Sequence, residues 1–310
     1  MLIITGSLAY DYIMDFPGKF GDHILPDQIH NINLSFIVNT FAKRRGGTAG
    51  NVSYSLALLN TPHILFSAAG KDFGEYKEFF DSLGINTQYI SLSKKTYTAT
   101  GFAMTDKTNN QIWGFFNGAI EDIPKLKLKT VAQKDDLVLI GPQGVEGSMS
   151  FVKQCIAQKI PYMFDPGFIL TQVNDADLAL GVTHATYLIG NDYEINLIKD
   201  RVPNYHALVA KITVITTLGA KGAKIEVDGK TIKIAPAKAT KVVDPTGAGD
   251  TWRSGFLAGY ERGFDLKTCG QMGAVASSFV VEHYGTQEHS FSKREFTNRY
   301  KETYNENLKI

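Results

Sequence analysis

The run Asp244-Pro245-Thr246-Gly247-Ala248-Gly249-Asp250-Thr251 leads directly into a helical stretch, Trp252–Arg262. Small residues at 247–249 let backbone N–H groups converge on one point at a helix N-terminus. Free donors and the helix dipole there make an anion site. Asp250 falls in the same first turn, and a carboxylate beside an anion site is repelled by whatever that site holds. It makes sense as a base that accepts a hydroxyl proton while the N–H groups stabilise a transferring phosphoryl group. The competing reading is an ordinary first-turn residue behind flexible glycines. A second run, Gly46-Gly47-Thr48-Ala49-Gly50-Asn51, precedes the helix Val52–Leu59. Glycines there allow close backbone approach to a ligand, and Asn51 offers donor and acceptor to hydroxyls.

The elements that must position these groups read as strand–helix alternation. Strands are expected at Leu2–Ile4, Ile64–Ala68, Leu137–Ile140, Tyr162–Phe164 (ending at Asp165-Pro166), Tyr187–Ile189 and Val214–Thr216. Helices are expected at Phe73–Leu83, Ser148–Gln158, Asn191–Lys199, Gly249–Arg262, Leu266–Val281 and Lys293–Tyr304. Lys224–Val227 and Lys230–Ile234 flank an Asp-Gly hairpin turn, so Gly229-Lys230-Thr231 is not the end of a P-loop. The pattern implies an α/β fold, a mostly parallel sheet with helices on both faces. Period-2 stretches at 32–38, Thr100–Thr105 and Gln111–Phe116 imply half-buried strands of a smaller sheet. The reading is one domain, 1–310, with a β-sheet lid from about 12–45 and 97–118. Ligands of open parallel sheets bind beyond the carboxyl ends of the strands, where these motifs fall.

The chain has 310 residues, 44% hydrophobic and 20% charged, enough to bury a large core without staples. Its 32 basic residues nearly balance 31 acidic ones, which removes the electrostatic case for nucleic acid or a membrane surface. Cys155 and Cys269 cannot make a disulfide framework, and the seven histidines lack metal-ligand spacing. Residues 1–6 lack a basic n-region and carry too short an apolar run for a signal peptide, so a reducing cytoplasm is the expected location. Gly144–Gly147 is not a dinucleotide fingerprint, which argues against an NAD-dependent oxidoreductase. Lys43-Arg44-Arg45 reads as a solvated basic loop or a group near phosphate, and Trp252 and Arg253 as packing or part of a nucleotide pocket.

The two glycine motifs, about 200 residues apart, resemble the GGxxxN and DPTGAGD signatures of the PfkB (ribokinase-like) family of small-molecule kinases. Asp11 after the first strand, Asn191-Asp192-Tyr193-Glu194 as an NxxE element and Thr217–Gly222 as a nucleotide loop extend the resemblance along the chain. It implies a ribokinase-like fold and a complete site. Asp250 would be the general base and Gly247, Ala248 and Gly249 the backbone anion hole. Asp11, Gly46, Gly47 and Asn51 would hold substrate hydroxyls, and Asn191 would act near the ATP phosphates. Glu194 would act through waters of Mg²⁺. Thr217, Gly219 and Gly222 would line the nucleotide channel, with Ala274–Ser277 and the His283–Thr286 turn bordering the adenine. Asp244 and Thr246 would shape the loop, beside which many relatives hold a monovalent cation, making potassium a candidate activator.

Within the family, the stretch from Gly6 through Pro26 is most similar to bacterial adenosine (nucleoside) kinases. The lid is rich in rings, Phe16, Phe20, Phe36, Phe41, Phe102, Trp113, Phe115 and Phe116, on which a purine could stack. The same rings could instead pack the lid onto the domain. The resemblance therefore implies an ATP- and Mg²⁺-dependent kinase for the 5′-hydroxyl of adenosine or a related nucleoside. A ribokinase- or fructokinase-like sugar kinase is the alternative. A silent nucleoside sensor would have no need of Asp250. Such lids also pair across dimers in relatives, so the chain is expected to be a monomer or a lid-mediated homodimer.

Overall fold

Continuous apolar runs form the main sheet, because a parallel sheet covered on both faces buries every side chain. The computed structural model describes residues 1–24, 33–108 and 110–310. With strands numbered in chain order, the main sheet contains β1 (Leu2–Thr5), β4 (His63–Leu65), β9 (Leu137–Ile140) and β10 (Tyr162–Phe164). It continues through β11 (Tyr187–Asn191), β12 (Thr213–Thr217), β13 (Ala223–Val227) and β14 (Lys230–Ile234). The order is β14-β13-β12-β11-β10-β9-β1-β4, parallel from β4 to β12 and antiparallel through the terminal hairpin.

Alternate residues of these strands enter two cores. Leu2, Ile4, Leu139, Met163, Ile189 and Ile215 meet α1 (Thr48–Leu58), α2 (Gly74–Ser82), α7 (Ala248–Glu261), α8 (Leu266–Val280) and α9 (Lys293–Tyr304). Ile3, Val138, Ile140, Phe164, Leu188 and Val214 meet α3 (Val145–Gln158), α4 (Asp175–Thr183), α5 (Asp192–Arg201) and α6 (Tyr205–Val209). The helices α4 and α6 lie in stretches where the sequence pattern announces none. Buried Cys155 and Cys269 are both free thiols, pushed up to about 12 by burial.

The second sheet, ordered β3-β2-β7-β8, is built from β2 (Ala9–Asp15), β3 (Thr40–Gly46), β7 (Ala99–Thr105) and β8 (Gln111–Phe116). Its central pair, β2 and β7, is parallel. Two expectations change here. The period-2 stretch at 32–38 is not a strand over its described part, 33–38, and Ile32 lies outside the described residues. The strand is Thr40–Gly46, which pairs with β2 from Asp15↔Thr40 to Ala9↔Gly46. The alternation instead reflects Phe36, whose ring packs 4.6 Å from Phe16 and 5.5 Å from Phe20, among side chains rather than along a ladder. Similarly, the expected strand Ile64–Ala68 divides. His63–Leu65 pairs with β1, while β5 (Ala68–Ala69) pairs with β6 (Ser91–Leu92) in a separate ribbon. The break follows Phe66 N–H donating to Ile4 and Ser67 Oγ donating to the Gly6 carbonyl at 2.6 Å. Residues Leu25 and Pro26 of the N-terminal resemblance, and Asn109 of the turn after β7, lie outside the described residues.

Candidate active site

The turn into α7 is made possible by Gly247, whose φ of 79° is left-handed and whose bare Cα faces Thr286. A Cβ there would stand 2.9 Å from Thr286 Cγ2. Asp244 ties the loop from both sides, Oδ1 accepting from Thr246 N–H at 2.9 Å and Oδ2 from Gly285 N–H at 3.1 Å. Ala248 donates its N–H to the Pro245 carbonyl at 3.1 Å, so it is already engaged within the loop. Thr251 N–H donates to the Gly247 carbonyl at 2.9 Å, so the donors left for an anion are the N–H groups of Gly247, Gly249 and Asp250. Ser277 Oγ donates to the Ala248 carbonyl at 3.2 Å and so braces this turn from α8.

Asp250 sits in that first turn, and Asn51 in α1 donates Nδ2 to its Oδ2 at 2.7 Å. The two motifs therefore meet, although 199 residues separate them. Asn51 is itself fixed, because its Oδ1 accepts from Gln287 Nε2 at 2.9 Å. Gln287 also reaches the Tyr76 hydroxyl, which donates to the Gly46 carbonyl at 2.9 Å. Burial pushes Asp250 up to about 6, while Arg253 and Asn51 pull the other way. A carboxylate with such a value is ionised at neutral pH and basic enough to take a proton.

Gly46 and Gly47 carry β3 into α1, and Gly47 (φ 85°) passes so close to β2 that a Cβ would lie 2.5 Å from the Ser7 carbonyl oxygen. Asp11, central in β2, stands between two glycines of its neighbours. A Cβ on Gly46 would lie 2.6 Å from its Oδ2, and one on Gly101 2.7 Å from its Oδ1. Burial pushes Asp11 up to about 6. Strand alternation places Asp11, Gly101, Trp113 and Phe115 on one face of the small sheet and Tyr12, Phe41, Phe102 and Phe116 on the other. The aromatic group thus divides. Phe16, Phe20 and Phe36 pack on one another, Tyr12 stacks on Phe102, and Trp113 and Phe115 remain about half exposed beside Asp11.

Asn191 and Thr217 end adjacent strands in register, at the carboxyl edge of the main sheet. Asn191 and Glu194 form a capping box: Oδ1 of Asn191 accepts from Glu194 N–H at 2.8 Å, and Oε2 of Glu194 accepts from Asn191 N–H at 2.7 Å. Burial raises Glu194 above the usual carboxylate range. Gly219 opens the tight turn after β12, which Gly222 closes by accepting from Leu218 N–H at 2.8 Å. Ala274 lies in α8, buried among the core residues that α8 shares with α7. The basic run is a correction, because Lys43, Arg44 and Arg45 lie in β3, paired with Glu75 and Glu288. Trp252 packs in the core, stacked on Phe256 at 5.6 Å. Arg253 is buried and meets Asp165, just past β10, through Nη2 at 2.7 Å and Nε at 2.6 Å. Sequence reasoning noticed Arg253 without its partner, and it missed Gln287 and Tyr76, which carry no motif.

Among the described residues, no cluster of three or more His, Cys, Asp or Glu side chains could hold a metal, and no helix is long and apolar enough to cross a membrane. Glu194, with one oxygen committed to Asn191, fits a Mg²⁺ ion held through water rather than a protein cage.

An eight-stranded α/β sheet, a small separate sheet and a glycine-bounded helix start that carries a buried carboxylate define a phosphotransferase on a ribokinase-like fold. The model of the pfkB family of carbohydrate kinases matches residues 16–294, and the chain belongs to that family. It is 33% identical over 289 residues to the nucleoside kinase of Methanocaldococcus jannaschii, covering 91% of each chain. The solved structure of Burkholderia thailandensis nucleoside kinase in complex with inosine superposes with a TM-score of 0.88 at 32% identity, covering 99% of this chain and 100% of that one. The same kinase in complex with ADP-inosine gives 0.86 at 35% identity, covering 100% and 98%.

Proposed function

We propose that this chain is an ATP-dependent nucleoside kinase that phosphorylates the 5′-hydroxyl of adenosine, inosine or a related nucleoside. The observation that carries the reading is Asp250, held by Asn51 in the first turn of α7, directly behind the N–H groups of Gly247 and Gly249. Full-length similarity to nucleoside kinases supports the substrate class. In this reading Asp11 and Asn51 orient the ribose hydroxyls, and Trp113 and Phe115 offer stacking surface to the base. Asp250 takes the 5′-hydroxyl proton as the oxygen attacks the γ-phosphorus. The bond from that phosphorus to the β-γ bridging oxygen breaks, and ADP leaves with the electron pair. Gly247 and Gly249 donate to the phosphoryl oxygens throughout, in a step governed by positioning and charge. Mg²⁺, held near Glu194, would neutralise charge on the nucleotide phosphates. Asn191, Thr217, Gly219 and Gly222 would border the nucleotide, with Ser277 beneath the loop.

The small sheet, from about 12–45 and 97–118, serves as a lid that excludes water from the bound substrate. Its outer face, with Phe41 at 64% and Phe102 at 46% exposure, offers a surface for pairing lids in a homodimer. Potassium activation would act through the loop at Asp244 and Thr246, whose carboxylate is already engaged by backbone. A cytoplasmic location fits the free, buried thiols.

The test is an ADP-release assay across adenosine, inosine, cytidine, ribose, fructose and fructose 6-phosphate. The highest kcat/KM is expected for a purine nucleoside. A highest value for a free sugar would replace this reading with that of a sugar kinase, and ligand binding without turnover on any acceptor would make the chain a sensor.

A further inference from the structure

The Asp250 carboxylate feels two others across the site. Asp165 and Glu194 both raise Asp250 electrostatically, and burial raises all three above the usual carboxylate range. Against them stands Arg253, one turn further along α7 and only 7% exposed. Burial works against its charge, yet the Asp165 carboxylate holds it above its ordinary value. The ion pair with Asp165 uses Nε and Nη2. The third nitrogen, Nη1, lies 2.8 Å from where a Cβ on Gly249 would stand, so it packs against the bare Cα of the anion loop.

We propose that Arg253 is a positioning residue for phosphoryl transfer. Asp165 clamps its guanidinium so that Nη1 holds a permanent positive charge beneath Gly249, where the transferring group arrives. The inference rests on the reading of this loop as a phosphoryl-transfer centre. A guanidinium stays charged even when buried, and its planar fork suits a two-pronged carboxylate grip that leaves one nitrogen over. Holding α7 to β10 does not by itself call for charge, since an apolar pair of similar volume packs as well as a buried ion pair. An apolar pair cannot offset Asp250 and Glu194 at the point where phosphate must bind. Gly249 has a second reason to be glycine on this account: a side chain there would displace Nη1.

The experiment compares wild type with Arg253→Met/Asp165→Leu and with Arg253→Lys, using ADP release with inosine and thermal unfolding as the fold control. The double variant is expected to fold with inosine KM nearly unchanged and kcat lowered by about tenfold or more, less than the roughly 10²–10³ of losing a direct oxyanion donor because Arg253 acts from beneath the loop. A folded double variant whose kcat falls by less than about fivefold overturns the proposal, because Arg253 then only packs. Should the double variant fail to fold, Arg253→Lys decides. Lysine keeps the charge but cannot grip Asp165 with two nitrogens and reach Gly249 as well. A kcat loss of about fivefold or more at unchanged inosine KM supports the proposal, and a smaller loss overturns it. Wild type that phosphorylates a sugar instead of inosine sinks only the substrate reading, and the same variants are then read on that sugar.

Discussion

The first turn of α7 and the edge strand β8 are built on opposite terms. Around the start of α7 the charged side chains are partnered: Asp250 with Asn51, Arg253 with Asp165, Asp244 with Thr246 and Gly285. Along β8 all six residues are exposed, among them Ile112, Trp113, Phe115 and Phe116. Groups that perform chemistry gain from being fixed before the substrate arrives, since no reorganisation is then needed at the moment of reaction. Apolar groups that recognise a ligand stay uncovered until the ligand covers them.

The sharpest way to break this contrast is Asp250→Asn, which keeps the shape of the side chain and removes the base. Turnover should fall by about 10²–10⁴ with an unchanged unfolding temperature, and near-normal turnover would remove Asp250 from the mechanism. Gly247→Ala should lower kcat by about 10² and stability by about 1–3 kcal/mol, because alanine resists the positive φ and meets Thr286. Both effects are read from steady-state kinetics and urea unfolding of one preparation.

The pH dependence separates the two carboxylates of the site. Asp250 and Asp11 are each pushed up to about 6, and the proposed mechanism uses each in its ionised form. Lowering the pH through 6 protonates both, so log kcat/KM should fall with a slope approaching two. In Asp11→Asn the slope should drop to one, at a lower plateau. A wild-type slope of one would mean that only a single group titrates.

The smallest effects belong to the small sheet. Trp113→Ala should raise nucleoside KM by about five- to tenfold and leave the unfolding temperature unmoved, as the ring is half exposed. Phe102→Ala, on the opposite face, should leave KM alone. Equal changes in KM would show that the two faces are not distinguished by the substrate.

Much of the main sheet was legible because its strands are continuous apolar runs, which need no partner to be read. The hairpin at Asp228-Gly229 was legible for the same local reason, with both residues at positive φ. The small sheet was read less well. Ala9–Asp15 mixes apolar, aromatic and acidic residues, and its strand character comes from pairing with Gly46 and Gly101 on either side. Gln287 was invisible, since a lone glutamine near the end of a chain carries no periodicity or spacing.

The sequence by itself determined the chemistry on offer, a carboxylate in the first turn of a helix behind glycines, because a helix N-terminus and bare Cα atoms are local properties. Tertiary structure decided which groups control that carboxylate. Asn51 reaches it from α1, Gln287 fixes Asn51, and Asp165 holds Arg253 beneath the loop from the end of another strand. Those contacts join residues up to 236 positions apart. They depend on the parallel order of the strands, which brings distant loops to one edge of the sheet, and no local pattern records that meeting.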